Sequence, residues 1–405
     1  MKIIVAMDSF KGCCSAVKAG DAVCRGILRG DPDAELWNIP VADGGEGTVE
    51  AVTRDGRGTL YSCKVTGPMG DEVDACFGSV GDVAVIEMSA ASGLPLVPKT
   101  QRNPLLATSY GTGELIRYAL DAGFRRFLIG IGGSATNDGG VGMMQALGVS
   151  FQDAAGEELV FGGAALADLA KVDISQLDSR LAACEITVAS DVTNPLCGPN
   201  GATYVFGPQK GATPDMQLQL EKALRHYADV IHNDMGINIA DMRGAGAAGG
   251  MGAAMQTFLK VKFCQGIQAV LDIVDFKSHL ENVDMVFTGE GRTDAQTIYG
   301  KVPAGVAELT KQAGDIPVYI LSGGIGKGAE ALYNVGVDGI YSIADGPITL
   351  EESQRRVEEL LERLAESLTR SVLKVKKKKG KTDNERINSS LFSDWHDSMD
   401  ESSEL

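Results

Sequence analysis

Short runs of β-branched and aliphatic residues alternate with helical stretches along most of the chain, the pattern of α/β architecture with parallel strands. Ile3–Ala6, Val83–Met88, Arg126–Ile131, Ile186–Ala189, Met285–Thr288 and Val318–Leu321 are the strand candidates, and Gly, Ser, Asp or Asn closely follows each. Ligands in open α/β sheets bind beyond the carboxyl ends of strands, so chemistry is sought at these junctions. Near the end of the chain, Val357, Leu360, Leu361, Leu364, Leu368 and Val372 form one apolar stripe at helical spacing. The stripe predicts a helix from about Thr349 to Val375, opened by a Thr349/Glu352 capping box, that docks on the core and carries nothing catalytic. The polarity then changes. Lys376–Lys379 is a lysine run, and a serine- and acid-rich segment follows to Leu405. Residues 374–405 bury too little apolar surface to order themselves and are expected to form a disordered tail.

Composition narrows the class. A chain of 405 residues with 44% hydrophobic content exceeds what one core usually supports, which favours two domains. The 51 glycines are clustered and lack a proline-rich bias (13 prolines), as in loops where backbone must approach a ligand. A net charge of −17 argues against nucleic acid as a partner but leaves room for a nucleotide, which needs only a local cation or a metal. Eight cysteines without a C-x-x-C pair argue against structural zinc and suit reduced thiols. The opening Met1–Ala6 segment is too short and too soon polar for a signal peptide, and no run approaches a membrane span. A cytoplasmic protein without membrane partners is therefore expected.

Five strand-end loops carry acids, hydroxyls and cations. The first is Asp8-Ser9-Phe10-Lys11-Gly12, although Asp and Ser also cap helices. The second, Asp43-Gly44-Gly45-Glu46-Gly47, holds two acids that repel unless something cationic lies between them. The third runs Gly132-Gly133-Ser134-Ala135-Thr136-Asn137-Asp138-Gly139-Gly140 and leads into an apolar helix through Met143, Met144 and Leu147. Strand, glycine turn and helix N-terminus predict an anion site. A rival reading takes Gly130, Gly132 and Ala135 as G-x-G-x-x-A with Asp153 as the ribose acid of an NAD-dependent oxidoreductase. Against it, Asp138 within the loop would repel a metal-free pyrophosphate. The fourth loop is Ser190-Asp191-Val192-Thr193-Asn194-Pro195, and the fifth Gly289-Glu290-Gly291-Arg292-Thr293-Asp294 with Thr297, Gly300 and Lys301 beyond it. Two further clusters, Gly207–Gly211 and Gly244–Gly252, add Lys210 and more backbone donors. No G-x-x-x-x-G-K-[ST] and no G-x-S-x-G occurs, and His226, His232, His279 and His396 avoid every glycine loop. A general base should therefore be a carboxylate.

In this ordered set of motifs, with Tyr110-Gly111-Thr112-Gly113-Glu114, the chain resembles the bacterial class I glycerate kinases from Met1 to about Val372. The resemblance implies ATP-dependent phosphorylation of D-glycerate with Mg²⁺, usually at the 2-hydroxyl, with 3-phosphoglycerate as the alternative product. A non-catalytic nucleotide sensor is a more distant alternative. It also implies two α/β domains: a Rossmann-like parallel-sheet domain (1–61 and 284–373) and a second inserted into it (62–283), with the site in the cleft between. Cys13-Cys14 and Ser190 depart from the family pattern.

Roles follow as expectations of that resemblance. Asp191 is the general base, with Asp8 or Asp43 as alternatives, and Lys11 and Arg292 hold the glycerate carboxylate or the phosphoryl group. ATP is assigned to Gly132, Gly133, Ser134, Ala135, Thr136, Asp138, Gly139, Gly289 and Lys301, glycerate to Ser9, Gly44, Gly45, Glu46 and Asn194, and Mg²⁺ to Glu290 and Asp294. The partners are small molecules, and a homodimer is the candidate assembly.

Overall fold

The computed structural model describes residues 1–375; the expected tail lies outside the described residues except for 374 and 375, which still belong to a helix. Among the described residues there are thirteen strands, eleven of which form two main sheets. They are β1 (Lys2–Met7), β2 (Glu35–Asn38), β3 (Thr59–Thr66), β4 (Glu72–Val80), β5 (Val83–Glu87), β6 (Arg126–Gly130), β7 (Ser150–Gln152), β8 (Lys171–Asp173), β9 (Glu185–Ala189), β10 (Val261–Cys264), β11 (Met285–Glu290), β12 (Val318–Ser322) and β13 (Gly339–Ser342). All six strands expected from the apolar runs are present within one or two residues of the expected ends.

The first sheet is fully parallel in the order β13-β12-β11-β1-β2, so it joins the first two strands of the chain to the last three. The second has the order β10-β9-β6-β5-β4-β3. Its β10, β9, β6 and β5 are parallel, while β4 and β3 extend it antiparallel. A small antiparallel pair, β7 with β8, stands apart.

The two sheets share a core. Ile4, Ala6, Val286 and Ile320 of the first pack in one cluster with Val85, Leu128 and Ala189 of the second. The other face of the first sheet is covered by helix Ala16–Gly30 and by the terminal helical segment, through Ile3, Val5, Val23, Ile27, Leu360 and Leu361. The expected 349–375 helix is thus a docking helix, capped by Thr349 Oγ1 accepting from Glu352 N–H at 3.1 Å. It is broken at Arg356 by one turn residue, where the guanidinium binds Asp345 and Glu359.

One close approach sets how the sheets meet. A Cβ on Gly130, at the end of β6, would fall 1.8 Å from the carbonyl oxygen of Gly44 in the loop after β2. Glycine is required there because backbone of one sheet's loop lies directly on backbone of the other's strand.

Candidate active site

The site is assembled at the carboxyl ends of β1, β2 and β11. Asp8 follows β1 directly and is 5% exposed, its Oδ1 accepting from Ser9 N–H at 2.6 Å. Glu290 ends β11, equally buried, and accepts from Thr297 Oγ1 at 2.7 Å with Lys301 Nζ at 3.6 Å. Asp43 comes from the loop after β2 and lies 3.6 Å from the exposed Lys11 ammonium. Arg292, also exposed, donates from Nε to Asp294 Oδ2 at 3.1 Å. Asp8, Ser9, Lys11, Asp43, Glu290, Arg292 and Lys301 line one cleft of about 460 Å³. Six of these seven are charged, and they reach it from three separate parts of the sequence.

Their electrostatics are strained in a consistent direction. Burial, then Asp43 and Glu290, push the Asp8 carboxyl up to about 7 from 3.8, against the Ser9 N–H and Lys11 that favour its charge. Burial raises Glu290 as well, opposed by Thr297 and Lys301. Asp43, helped by Asp8, holds the Lys11 ammonium above its usual range. Asp191, at the end of β9 in the second sheet, keeps an exposed edge, yet desolvation and then Asp43 raise it to about 6. Gly300 gives it room, since a Cβ there would lie 3.3 Å from Asp191 Oδ1.

A second cavity of about 550 Å³ shares Ser9, Lys11 and Cys13 with the first and continues past Glu46, Glu50 and Glu87. Glu87, at the end of β5, was not singled out in the sequence. Its strand-end position was the available signal. It is buried, and accepts from Val49 N–H at 2.6 Å and Gly47 N–H at 3.3 Å. Burial lifts it to about 7 despite those bonds.

The third glycine loop is mostly buried. Helix Val141–Ala146 does begin after Gly140, its N-cap, but the Asp138 carboxylate already occupies N–H groups at its start. Asp138 is 1% exposed and accepts from Gly140 N–H, Gly142 N–H, Ser109 N–H and Ser109 Oγ. Ser109 Oγ in turn accepts from Met143 N–H. The donors an anion would need are taken by the protein's own side chains. Ser134, Ala135 and Thr136 are likewise buried, with Lys210 donating to Ser134 Oγ at 2.9 Å and to Thr136 O at 2.6 Å. Gly139 is enclosed by Tyr227. Only Gly132 and Gly133 are exposed, with Gly132 facing Gly45.

Other candidates are placed individually. Gly289 sits within β11, where a Cβ would meet Leu321 O at 2.1 Å, so it serves the sheet. Asp294 accepts from Gln296 N–H and Arg292, which lower its pKa, and lies outside the cleft lining. Asn194 donates to Asn200 O at 2.8 Å. Gly44 is buried against Ala189, while Glu46 is exposed in the second cavity. Asp153 of the dinucleotide reading accepts from Ala155 and Glu157 N–H in a turn of its own. Among the described residues no three His, Cys, Asp or Glu side chains converge as a metal cage, and no helix is long and apolar enough to cross a membrane.

Comparison with known proteins agrees over nearly the whole chain. The glycerate kinase family model matches residues 3–373. A glycerate kinase of Bacillus subtilis is 50% identical over 374 residues, 92% of this chain and 98% of that one. The glycerate 2-kinase of Escherichia coli is 48% identical over 357 residues, 88% of this chain and 93% of that one. A crystal structure assigned as glycerate kinase 2 from Salmonella typhimurium LT2 superposes with a TM-score of 0.82 at 47% identity, covering 93% of this chain and 99% of that one. With its two sheets, its convergent charged loops and a family match over residues 3–373, the chain belongs to the glycerate kinase family.

Proposed function

We propose that this chain transfers the terminal phosphoryl group of ATP to the 2-hydroxyl of D-glycerate, giving 2-phosphoglycerate and ADP. The observation that carries the reading is the convergence of Asp8, Lys11, Asp43, Glu290, Arg292 and Lys301 in one cleft, with Asp191 of the second sheet in electrostatic reach of Asp43. Phosphoryl transfer needs positioning and charge neutralisation more than covalent chemistry.

Asp191 is the general base for the glycerate hydroxyl. Near 6 its pKa leaves it ionised at neutral pH yet more basic than an ordinary carboxylate, as proton abstraction requires. Lys11 and Arg292, both exposed at the cleft, bind the glycerate carboxylate and the phosphoryl oxygens. Lys301 and Thr297 hold the Glu290 carboxylate in one orientation. Asp294 positions Arg292.

The donor set also fits Mg²⁺, because Asp43 and Glu290 crowd negative charge around Asp8 that a divalent cation would relieve. Asp8 and Glu290 would hold the ion, which needs only one or two carboxylates beside water and phosphate oxygens. Bound there, it would neutralise charge on the transferring phosphate.

The division of strands between two sheets supports a discontinuous first domain with a second inserted into it, but moves the first boundary from 61 to before β3, because Thr59–Thr66 pairs within the second sheet. Closure of the two would exclude water as a competing acceptor. A cytoplasmic location and a homodimer remain expectations of the family resemblance.

The test is ADP release with and without D-glycerate. Release that depends on D-glycerate, and is lost in Asp191→Asn, supports the reading. Equal release under both conditions, or none, overturns it.

A further inference from the structure

The charged cleft has an apolar end, and strand order explains where it lies. Along the carboxyl edge of the first sheet, Asp8, Lys11 and Asp43 stand over β1 and β2, and Glu290 and Arg292 over β11. The lining then continues away from β1, through Gly323-Gly324-Ile325 after β12 and through Leu350, Ser353, Gln354 and Val357 after β13. The same cavity is therefore polarised along the sheet edge. Leu350 is 75% exposed and Ile325 48% exposed, an unusual state for two large aliphatic side chains lining one cavity. Beside them, Ser353 and Gln354 present a hydroxyl and an amide, so donors and acceptors adjoin the apolar surface.

We propose that the β12–β13 end of this cleft is the base subsite for the adenine of the phosphoryl donor. Leu350 and Ile325 cover the ring faces, and Gln354 with Ser353 meets its hydrogen-bonding edge. This inference rests on the kinase reading above and deepens it. A nucleotide placed this way has its phosphates over β11 and β1, beside Arg292, Lys301 and Lys11. Glycerate then occupies the side toward β2, where the second cavity shares Ser9 and Lys11 and lies beside the second sheet. Glycerate itself offers no apolar face to Leu350 or Ile325. The segment that the apolar stripe marked as a docking helix thus has two tasks: Leu360 and Leu361 dock it, and its first turn recognises the base.

The test uses the full chain and the double variant Leu350→Ser/Gln354→Ala, both exposed positions that leave the core intact. Inorganic tripolyphosphate, which has the phosphates without the base, serves as a competitive inhibitor. The inference predicts a KM for ATP raised about tenfold, the effect of losing one buried aliphatic contact and one amide. It also predicts kcat, the KM for D-glycerate and the tripolyphosphate inhibition constant within about twofold of the unaltered chain. An unchanged KM for ATP overturns it, as does a tripolyphosphate constant that rises in step with the KM for ATP. Should the unaltered chain fail to phosphorylate glycerate, the function falls separately, and calorimetric titration with ADP decides the subsite. Weaker ADP binding in the variant supports it, and equal or undetectable ADP binding in both overturns it.

Discussion

Asp8 at the end of β1 and Asp191 at the end of β9 belong to different sheets, yet Asp43 raises the pKa of both. Asp43 is carried on the loop whose next residue, Gly44, rests on the Gly130 backbone of the second sheet. Packing between the sheets and charge in the cleft are thus set by the same few residues.

The first consequence concerns the base. With Asp191 titrating near 6, kcat/KM should be level above that pH and fall with decreasing pH below it. Asp191→Asn should lower kcat by about 100-fold or more and remove that acidic limb. A pH–rate profile of both proteins checks this, and near wild-type turnover in the variant would refute the assignment.

Asp8 bears on stability. Its pKa is 3.8 unfolded and about 7 folded, so the folded state holds the extra proton between those values. Stability from this group is complete below about pH 4 and is lost as pH rises through about 7. Asp8→Asn should therefore stabilise the metal-free protein at pH 8, by on the order of 2–4 kcal/mol, and change it little at pH 4. Urea titrations at the two pH values measure the difference, and equal gains at both would contradict the electrostatic account.

Lys210 gives the opposite sign. Burial lowers its ammonium to about 7 from 10.5, so the unfolded state holds the extra proton and stability falls as pH drops from about 10 to about 7. Lys210→Met removes the bonds to Thr136 O at 2.6 Å and Ser134 Oγ at 2.9 Å, leaving these atoms only the longer bonds, of 3.2 Å and 3.3 Å, between the two residues, and should destabilise the protein at pH 9 by about 1–3 kcal/mol. The gap should narrow or reverse at pH 6, because only the unaltered protein must carry the buried charge there. Thermal melts at both pH values test the crossover, and a gap that widens at pH 6 would refute it.

At the sheet contact, Gly130→Ala places a methyl group where Gly44 O already stands, 1.8 Å away. We expect a loss of more than about 3 kcal/mol, since backbone on both sides must move. Gly324→Ala, where a Cβ meets nothing within 4 Å, is the matched control and should be near neutral. Chemical denaturation of the pair separates close approach from a general intolerance of substitution.

Much of this was legible in the sequence because strand-end loops are where open α/β sheets bind ligands. Asp8, Lys11, Asp43, Glu290, Arg292 and Lys301 could be named from glycine-flanked acids and cations, and the structure brings them together. The third loop is mostly buried, which its sequence does not reveal, for a physical reason. Residue types cannot show which way a side chain turns, and Asp138 turns inward to bind N–H groups at the start of the helix that it precedes. Lys210 was visible only as one more cation, since its partners Ser134 and Thr136 lie more than 70 residues away in the chain. Glu87 carried no glycine signal, and only the fold shows that it faces the second cavity. The terminal helix was read correctly as apolar on one face. Its contribution to the cleft comes mainly from Leu350, Ser353 and Gln354, outside the stripe that defined it, with Val357 the one stripe residue that joins them.

The most direct measurement of the central claim is the phosphorus NMR spectrum of the product formed from D-glycerate, ATP and Mg²⁺. The account predicts the resonance of 2-phosphoglycerate growing in step with ADP. Formation of 3-phosphoglycerate, or ADP and inorganic phosphate with no phosphorylated glycerate, would contradict it.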